Sequence, residues 1–449
     1  MELEGQKILV IGLGKTGIAC IRFLLNRGAS VIVTDENPEK IFTARALKRE
    51  LSGDLAIVPY DRFAVSGVDL VVPSPGVPPF SPLLEEALLR GIPIISEIEL
   101  AGRFLKHPLI AITGSNGKTT TTTLIGNILR RGGKRVFVGG NIGKPLIESV
   151  FFGDEVDYVV AEISSFQLQW IERFRPQVGI LLNVTSDHGD YHGNFAAYRA
   201  AKERLFANQT ASDLAILNAD EEASHLLAER ISASVAFFSS TKEVEKGMFL
   251  WGDHLVYRGE DGEEETFPRE MIKLKGKHNI ENVMAALIAT RRCGILRNDI
   301  ISAVSDFRGL PHRIEFIAEK RGISFFDDSK GTNVDAVKRA LESFDAPVYL
   351  LMGGRDKDGD FSHLIPVISK QVKELILFGE AREKIRAVLG DYVRVSSFAT
   401  LREATLAAYA KAADGDVVLL SPGCASFDEF TDYKARGNFF RTVVEGLDE

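Results

Sequence analysis

This sequence of 449 residues has few cysteines and no long apolar run, and its basic residues do not outnumber its acidic residues. The three cysteines, Cys20, Cys293 and Cys424, are odd in number and far apart, which argues against a disulfide framework and against a zinc site. No apolar run reaches the roughly 20 residues that a membrane-spanning helix needs. Acidic residues outnumber basic ones by 62 to 54, which excludes a general basic surface for nucleic acid.

What remains is the composition of an ordinary globular protein, with 45% hydrophobic and 26% charged residues. At roughly 150 residues per domain, the length predicts three domains. The segment MELEGQKILVIG lacks the basic start and cleavable apolar core of a signal peptide. We therefore expect a cytoplasmic protein, without membrane insertion and without a nucleic-acid partner.

Strand and helix patterns alternate along the chain, which is typical of α/β domains with parallel sheets. KILVIG and SVIVTD predict strands of a first domain over residues 1–102. LIAIT, YVVAE and VGILLNV predict buried strands of a second domain over residues 103–309, which contains a polar β-hairpin excursion between residues 239 and 270. ISFFDDS, VYLLMGG and DVVLLSPG predict a third domain over residues 310–449.

A first glycine-rich loop, Gly12–Gly17, follows the strand KILVIG and fits the pattern GxGxxG. Glycines let the backbone approach a diphosphate, and the following helix offers amide donors and the positive end of its dipole. Asp35 closes the next predicted strand, as in many nicotinamide and flavin sites. The same loop suits any nucleoside diphosphate, and a tight strand–helix turn without a ligand is the structural alternative.

A second loop, Thr113–Thr120, follows the strand LIAI and opens a helix. Gly117, Lys118 and Thr119 match the end of a P-loop, in which amides hold phosphates, the lysine neutralises them and the hydroxyl ligates Mg²⁺. The usual pattern has glycine five residues before Gly117, where this chain has Ile112; its early glycine is Gly114 instead. We expect this loop to bind a nucleoside triphosphate.

The segment TGSNGKTTT resembles the ATP loop of the Mur ligases and the related folylpolyglutamate synthases, which use ATP to join an amino acid to a carboxylate. The resemblance continues along nearly the whole chain, through segments in the family's order: GNIGKPL, AEISSFQL, NVTSDHGDYHG, YRAAKERLF, GKHNIENVMAA, PHRIEF and DDSKGTN. SPGVPPF, MGGRDKDGDF and LSPGCASFDEFTDYKARGNFF resemble the branch of the family that adds D-glutamate.

The resemblance implies both a fold and a reaction. The fold is α/β in three domains: an N-terminal Rossmann-like parallel sheet for a uridine nucleotide, a central P-loop ATPase-type domain, and a C-terminal Rossmann-like domain for the amino acid. The reaction adds D-glutamate to the carboxylate of UDP-N-acetylmuramoyl-L-alanine, through an acyl phosphate, in peptidoglycan precursor synthesis. The implied cofactors are ATP, two Mg²⁺ ions and a CO₂-derived carbamate on a lysine, and we expect a monomer.

The resemblance also implies site residues. Those for the uridine substrate are Gly14, Lys15, Thr16, Asp35, Ser74, Pro75, Gly76, Asn141 and His188. Those for ATP are Gly114, Ser115, Asn116, Gly117, Lys118, Thr119, Thr120, Asn279, Asn282, Arg313 and Asp328. Those for D-glutamate are Lys330, Thr332, Lys357, Ser426 and Tyr433, although the sequence leaves open which of Arg355, Asp356 and Lys357 contacts it. The metal set is Thr119, Glu162, His188 and Lys202 as its carbamate, and the catalytic set is Lys118, Glu162, His188 and Lys202.

Other interpretations stay open at this stage. Within the same reaction class, the chain could be a sibling Mur ligase or a folylpolyglutamate synthase-like ligase for another amino acid. A nicotinamide oxidoreductase would use Gly12–Gly17 and Asp35 but leaves the P-loop unexplained, and a P-loop NTPase switch would need no amino acid. Residue by residue, Lys202 alone would be a surface lysine, and Glu162 a solvated strand end.

Overall fold

The computed structural model describes residues 1–185 and 193–448, and its first sheet is entirely parallel. Unbroken apolar segments such as KILVI and SVIVT suit strands that are buried on both faces. The elements are β1 (Lys7–Ile11), α1 (Lys15–Asn26), β2 (Ser30–Thr34), α2 (Lys40–Glu50), β3 (Leu55–Ile57), β4 (Leu70–Pro73), α3 (Pro82–Leu89) and α4 (Glu97–Phe104). The strand order β3-β2-β1-β4 confirms the predicted Rossmann-like sheet.

The second sheet has nine strands and carries the P-loop. Its strands are β5 (Leu109–Thr113), β6 (Val136–Gly140), β7 (Tyr158–Glu162), β8 (Val178–Leu181), β9 (Leu214–Asn218), β10 (Ser234–Ser239), β11 (Gly247–Trp251), β12 (His254–Arg258) and β13 (Glu264–Pro268). Their order is β13-β12-β11-β10-β9-β8-β5-β7-β6. The last three strands in sequence pair antiparallel, which confirms the predicted hairpin excursion. The helices are α5 (Lys118–Arg131), α6 (Ser165–Leu168), α7 (Phe195–Glu203), α8 (Glu222–Ala228), α9 (Lys277–Arg292) and α10 (Arg297–Asp306).

The third sheet has six strands in the order β14-β15-β19-β16-β17-β18. Its strands are β14 (Glu315–Lys320), β15 (Ile323–Asp327), β16 (Val348–Gly353), β17 (Val372–Phe378), β18 (Val395–Ser397) and β19 (Val417–Gly423). Only β14 is antiparallel, so the predicted parallel sheet carries one antiparallel edge strand. The helices of this region are α11 (Val334–Leu341), α12 (Ile365–Gln371), α13 (Arg382–Leu389), α14 (Leu401–Lys411) and α15 (Tyr433–Glu445). Short 3₁₀ segments occur at Arg62–Val65, Leu146–Glu155, Arg204–Phe206, Arg269–Met271 and Phe361–Leu364.

The chain divides into two compact units, one with the first two sheets and one with the third sheet and Glu270–Asn282. The predicted α/β fold of three sheet domains is confirmed, whereas the predicted boundaries at residues 102/103 and 309/310 stay predictions. Within the first unit, one buried cluster runs from Phe23 of α1 through Ile98 of α4 to Ala161 of β7. Within the described residues, none of the helices has the length and apolar character of a membrane crossing.

Helix α4 buries two carboxylates that tie it to the second sheet's connections. The Oε2 of Glu99 accepts hydrogen bonds from the amides of Glu172, Arg173 and Phe174 at 2.8–3.0 Å, and its Oε1 accepts one from Arg103. Burial alone would raise the pKa of Glu99, but these donors hold it below its ordinary value. The ionised carboxylate therefore stabilises this junction.

Glu97, two residues earlier in α4, has its pKa shifted in the opposite direction. Its Oε1 accepts from the amide of Ile147 at 2.6 Å, while its buried Oε2 has no hydrogen-bond partner among the described residues. Burial raises the pKa of Glu97 to about 7, with the amides of Ile147 and Leu146 opposing that shift. A folded-state pKa above the ordinary value means that the fold loses stability as the pH rises through that range.

We expect Glu97→Gln to be more stable than the wild type above pH 7, because the amide keeps one acceptor and removes a buried charge. The free energy of unfolding at pH 8 should rise by up to about 3 kcal/mol, and the difference should vanish near pH 4.5. Thermal or denaturant unfolding between pH 4.5 and 8 measures both. Glu99→Gln is the matched control and should destabilise at pH 8, with a loss that shrinks at acid pH. A Glu97→Gln variant that is less stable than the wild type at pH 8 would contradict the assignment.

Candidate active site

The P-loop joins the end of β5 to the start of α5, and two glycines give it its shape. Gly114 has φ +149°, and an added Cβ would lie 3.1 Å from the Cβ of Leu182 and 3.3 Å from the carbonyl oxygen of Asn183. Gly117 has φ +86° and caps the helix in the left-handed region. Both conformations favour glycine. The displaced early glycine of the sequence pattern is thus the residue at which this loop turns away from its strand.

Two lysine side chains converge on one backbone oxygen of this loop. The Nζ of Lys118 donates to the carbonyls of Gly114 and Ser115, both at 2.8 Å. The Nζ of Lys202, from helix α7, donates to the same carbonyl of Gly114 at 2.8 Å. Two ammonium groups held this close repel each other unless a negative charge lies between or on them. The carbonyl of Gly114 is therefore a point at which two positive charges meet.

Lys202 is not the surface lysine that its helical pattern alone suggested. It is 1% exposed, and its Nζ lies 4.4 Å from the centre of the Tyr198 ring on the previous turn of α7. The Tyr198 hydroxyl in turn lies 3.1 Å from the Oγ of Ser115. Helix α7 is therefore joined to the P-loop through a side chain one turn before the lysine as well as through the lysine itself.

Glu162 ends β7, the strand that lies beside β5 in the sheet. It is 3% exposed, so it is also not the solvated strand end of the simpler interpretation. Its Oε1 accepts from the Nδ2 of Asn141 at 2.9 Å, and among the described residues its buried Oε2 has no hydrogen-bond partner. Carboxylate oxygens are the ligands that Mg²⁺ prefers. The unpartnered buried oxygen therefore fits a divalent cation at this edge.

Glycine again allows the contact between Asn141 and Glu162. Gly140, at the end of β6, has φ +94°, and an added Cβ would lie 2.3 Å from the carbonyl oxygen of Glu162. The amide of Asn141 donates to that same carbonyl at 2.8 Å. Of the remaining predicted metal and phosphate residues, Thr119 and Thr120 lie in the first turn of α5, and His188 lies outside the described residues.

One residue of this site escaped the sequence analysis. Asn183 follows β8, the other neighbour of β5, and is 4% exposed. Its Oδ1 accepts from the amide of Asn116 at 2.9 Å, and its Nδ2 donates to the carbonyl of Asn116 at 3.1 Å. The signal that could have revealed it is its place at a strand end beside the P-loop strand, where α/β proteins form their sites.

The first glycine loop is also built by close packing. An added Cβ on Gly17 would lie 1.8 Å from the carbonyl oxygen of Gly12, and one on Gly12 would lie 2.7 Å from the Oγ of Ser74. Asp35 accepts from the amide of Leu13 at 2.6 Å through Oδ2. This aspartate therefore holds the loop's backbone in place. Its Oδ1 accepts from the amide of Asn37.

The other residues predicted to contact the uridine substrate lie around this loop. Gly14 is the N-terminal cap of α1, and Lys15 and Thr16 begin that helix, with Lys15 exposed. Pro75 and Gly76 follow Ser74 in the turn after β4, and Gly76 is exposed. The structure thus brings the predicted residues of the first sheet together at its carboxyl edge, where ligands of open α/β sheets bind.

In the second unit, Asp328 follows β15 and is 6% exposed. The Ser421 hydroxyl donates to its Oδ2 at 2.7 Å. Burial raises the pKa of Asp328 to about 7, against that hydrogen bond and the positive charge of Arg313. The same unit contains Asn279 and Asn282 at the start of α9, where the Nδ2 of Asn282 donates to the Oδ1 of Asn279 at 3.2 Å.

A histidine–aspartate pair lies near these residues, under helix α15. The Nδ1 of His312 lies 2.7 Å from the Oδ2 of Asp327, and His312 has φ +63°. An added Cβ on Gly437 would lie 2.2 Å from that Nδ1, so the helix can approach the pair only because this residue is glycine. His312, Glu315 and Asp327 also form a group of potential metal-ligand atoms within 4.8 Å of one another.

Arg436, next to that glycine, is fully buried and was also missed by the sequence analysis. Its guanidinium donates to the Oγ and the carbonyl of Ser329 at 2.9 Å and to the carbonyl of Cys424 at 3.1 Å. Burial lowers its pKa to about 10, which leaves it charged at neutral pH. It therefore joins two loops, one leading to Lys330 and the other to Ser426.

The residues predicted for D-glutamate lie along these loops. The Nζ of Lys330 lies 4.0 Å from the centre of the Tyr433 ring, Ser426 is 2% exposed, and Thr332 follows in the turn after β15. Of the three candidates that the sequence could not separate, Arg355 pairs with Glu380 at 3.0 Å, and Asp356 pairs with Lys384. Lys357 is exposed, and its side chain forms no hydrogen bond or ion pair with the described residues.

Comparisons with known proteins agree with this geometry. Family models match along the chain: the Mur ligase MurD-like N-terminal domain over residues 6–96, the Mur ligase middle domain over 112–290, and the Mur ligase glutamate ligase domain over 312–424. The UDP-N-acetylmuramoylalanine–D-glutamate ligase of Syntrophus aciditrophicus (strain SB) is 55% identical over 100% of this chain and 99% of that protein. The chain belongs to the Mur ligase family.

Other relatives of this Mur ligase agree. The enzyme of the same name from Geotalea daltonii is 47% identical, again over 100% of this chain and 99% of that protein. Among solved structures, MurF ligase from Thermotoga maritima in complex with ADP aligns with a TM-score of 0.63 over 98% of this chain and 95% of that chain. Its identity of 17% shows the common fold alone. The predicted family and the prediction of an ATP-dependent amide ligase are confirmed, which decides against the oxidoreductase and NTPase-switch alternatives.

We expect Gly437→Ala to destabilise this Mur ligase by about 1–3 kcal/mol, because its methyl group would overlap the His312–Asp327 pair. Thermal unfolding measures the loss. Gly446→Ala, just after the end of the same helix, is the matched control, since an added Cβ there meets no atom closer than 3.5 Å. Equal melting temperatures for the two variants would show that the close contact at Gly437 does not constrain the helix.

Proposed function

We propose that this Mur ligase joins D-glutamate to the carboxylate of UDP-N-acetylmuramoyl-L-alanine, using ATP. The observation that carries the proposal is full-length similarity, at 55% identity, to a relative named for that reaction. The chain's own residues supply the required chemistry: a P-loop lysine, a buried strand-end carboxylate and a separate set of cations for an amino acid. The runner-up is a sibling Mur ligase that adds a different amino acid.

The reaction must convert a poor acyl donor into a good one. A carboxylate oxygen of the substrate attacks the γ-phosphorus of ATP, the bond to ADP breaks, and an acyl phosphate forms. The amine of D-glutamate then attacks the carbonyl carbon, loses a proton, and expels phosphate to leave an amide. The phosphoryl step depends mainly on positioning and on neutralising charge. Lys118, held at the mouth of its loop, supplies such a charge.

The metal set of the proposal is Thr119, Glu162, His188 and Lys202 as its carbamate. The fit rests on Glu162, whose buried Oε2 has no hydrogen-bond partner among the described residues. Held by these residues, Mg²⁺ would supply positive charge that neutralises the reacting phosphate oxygens. Asn141 orients the Glu162 carboxylate through a hydrogen bond of 2.9 Å to its other oxygen.

The three ligand sets are proposed as follows. The first glycine loop, with Ser74, Pro75 and Gly76, holds the uridine nucleotide, and Asp35 keeps that loop in shape. Asn279 and Asn282 contact the adenine of ATP, and Asp328 and Arg313 reach its ribose and γ-phosphate. Lys330, Thr332, Lys357, Ser426 and Tyr433 recognise the two carboxylates and the amine of D-glutamate. Lys357 is the preferred cation of its segment, because Arg355 already pairs with Glu380; Asp356 is an anion and pairs with Lys384. We propose domains 1–102, 103–309 and 310–449 and a monomeric enzyme.

Phosphate release tests the function directly. With ATP, Mg²⁺ and UDP-N-acetylmuramoyl-L-alanine, we expect release only when D-glutamate is added from a panel of D- and L-amino acids. Lys118→Ala should lower the rate by about 100-fold or more, because the developing phosphate charge loses its cation. Lys242→Ala, an exposed lysine of the same unit, should leave the rate unchanged. Equal turnover with L-lysine or meso-diaminopimelate would replace D-glutamate by the sibling reaction.

The carbamate on Lys202 needs its own test. In this step the ammonium first loses one proton, and the neutral amine then attacks CO₂. A nitrogen–carbon bond forms, one carbon–oxygen π bond breaks and a second proton leaves, so that a cation becomes an anion beside Lys118. We expect Lys202→Ala to lose at least about tenfold in kcat and to regain activity with added short-chain carboxylic acids. Lys202→Arg keeps the positive charge and should not be rescued. Full activity of Lys202→Ala without added acid would contradict the proposal.

A further inference from the structure

The backbone of the P-loop is hydrogen-bonded to the residues that follow β8, in the way that one strand is bonded to its neighbour. The amide of Leu182 donates to the carbonyl of Thr113 at 3.1 Å, and the amide of Ser115 donates to the carbonyl of Asn183 at 2.9 Å. The Asn183 side chain then continues the pattern, because its amide group exchanges two hydrogen bonds with the backbone of Asn116. A primary amide has the same donor and acceptor as a peptide group, so it replaces one here.

These hydrogen bonds show which backbone amides of the P-loop already have an acceptor. The N–H groups of Ser115 and Asn116 both donate to Asn183, at 2.9 Å. A buried backbone donor that has a good acceptor gains little by exchanging it for another. A phosphate group is therefore left to the Lys118 ammonium and to the start of α5, where the helix dipole favours negative charge.

We propose that Asn183 is a positioning residue for ATP, and that the amides of Ser115 and Asn116 shape the phosphate loop without contacting phosphate. The inference rests on the proposed ATP-binding role of this loop. It goes beyond that role by naming the side chain that fixes the loop and by dividing its backbone donors into two sets. Asn183 acts through Asn116, so its effect should appear in nucleotide affinity.

The chain offers a closely matched control at the next strand end. Asn218 ends β9, is 5% exposed, and has a similarly bonded side chain: its Oδ1 accepts from the amide of Asp220 at 2.9 Å and its Nδ2 donates to the carbonyl of Leu182 at 3.3 Å. Both of these partners lie outside residues 114–120. Asn183→Asp and Asn218→Asp therefore introduce the same charge at a similar depth, but the first replaces a side chain bonded to the P-loop backbone and the second replaces one bonded to Leu182 and Asp220.

Calorimetry with ADP and Mg²⁺ should give an affinity for Asn183→Asp that is about 10- to 100-fold weaker than that of the wild type. The aspartate keeps the bond from the amide of Asn116, loses the bond to its carbonyl, and adds a negative charge near the phosphates. Asn218→Asp should bind ADP within about threefold of the wild type. For both variants, the KM for D-glutamate should change by less than about threefold.

Amide hydrogen exchange on the wild type tests the division of donors without any variant. Exchange at Ser115 and Asn116 should be slow without ADP and nearly unchanged with it. In Asn183→Ala, exchange should become fast at Asn116, which loses its side-chain acceptor, and stay slow at Ser115, which keeps its backbone acceptor. Slowing of these two amides by more than about tenfold on ADP binding would overturn the inference, as would wild-type ADP affinity in a folded Asn183→Asp. If the wild type binds ADP but forms no product with D-glutamate, the proposed function fails while this inference stands.

Discussion

The geometry of the P-loop depends on the carbonyl oxygen of Gly114. It accepts hydrogen bonds from two lysine ammonium groups, one from the helix that follows the loop and one from helix α7. That oxygen is accessible to both because Gly114 turns the chain away from β5 at φ +149°, close against Leu182. A side chain at this position would disturb the turn, and with it the distance between the two positive charges.

The carboxyl edge of the second sheet explains why so few residues form the site. β5 is paired on one side with β7 and on the other with β8, all parallel, so their ends meet at one edge. β7 leads to Glu162, one of whose carboxylate oxygens has no hydrogen-bond partner among the described residues, and β8 leads to Asn183, whose side-chain oxygen and nitrogen are both bonded to Asn116. Glu162 thus offers an oxygen that could bind a cation, whereas Asn183 holds the backbone of the P-loop in place. Parallel pairing makes both possible without any long loop.

The site residues that could be predicted best from the sequence are those whose role depends on adjacent residues. Lys118 and the glycines follow a strand and open a helix, so their role can be read from adjacent residues. Lys202 and Glu162 were predicted only through family resemblance, because their burial depends on tertiary packing. Asn183 and Arg436 were missed for the same reason, since their hydrogen-bond partners Asn116, Ser329 and Cys424 are distant in sequence or lie across a strand pair. These residues are defined by the burial of a polar side chain and by hydrogen bonds to distant residues. Neither property leaves a periodic signal in a single sequence.

In the second unit, adjacent residues of helix α15 fix several groups at once. Arg436 stays charged although it is fully buried, and its four donor contacts reach the carbonyls of Ser329 and Cys424 and the Ser329 hydroxyl. Gly437 beside it has no Cβ, which leaves room for His312 against Asp327. Adjacent residues of one helix therefore fix the loops bearing Lys330 and Ser426 and also fix an imidazole. Because buried charged groups tolerate few alternative arrangements, an amino-acid site on these loops would be formed before its ligand arrives.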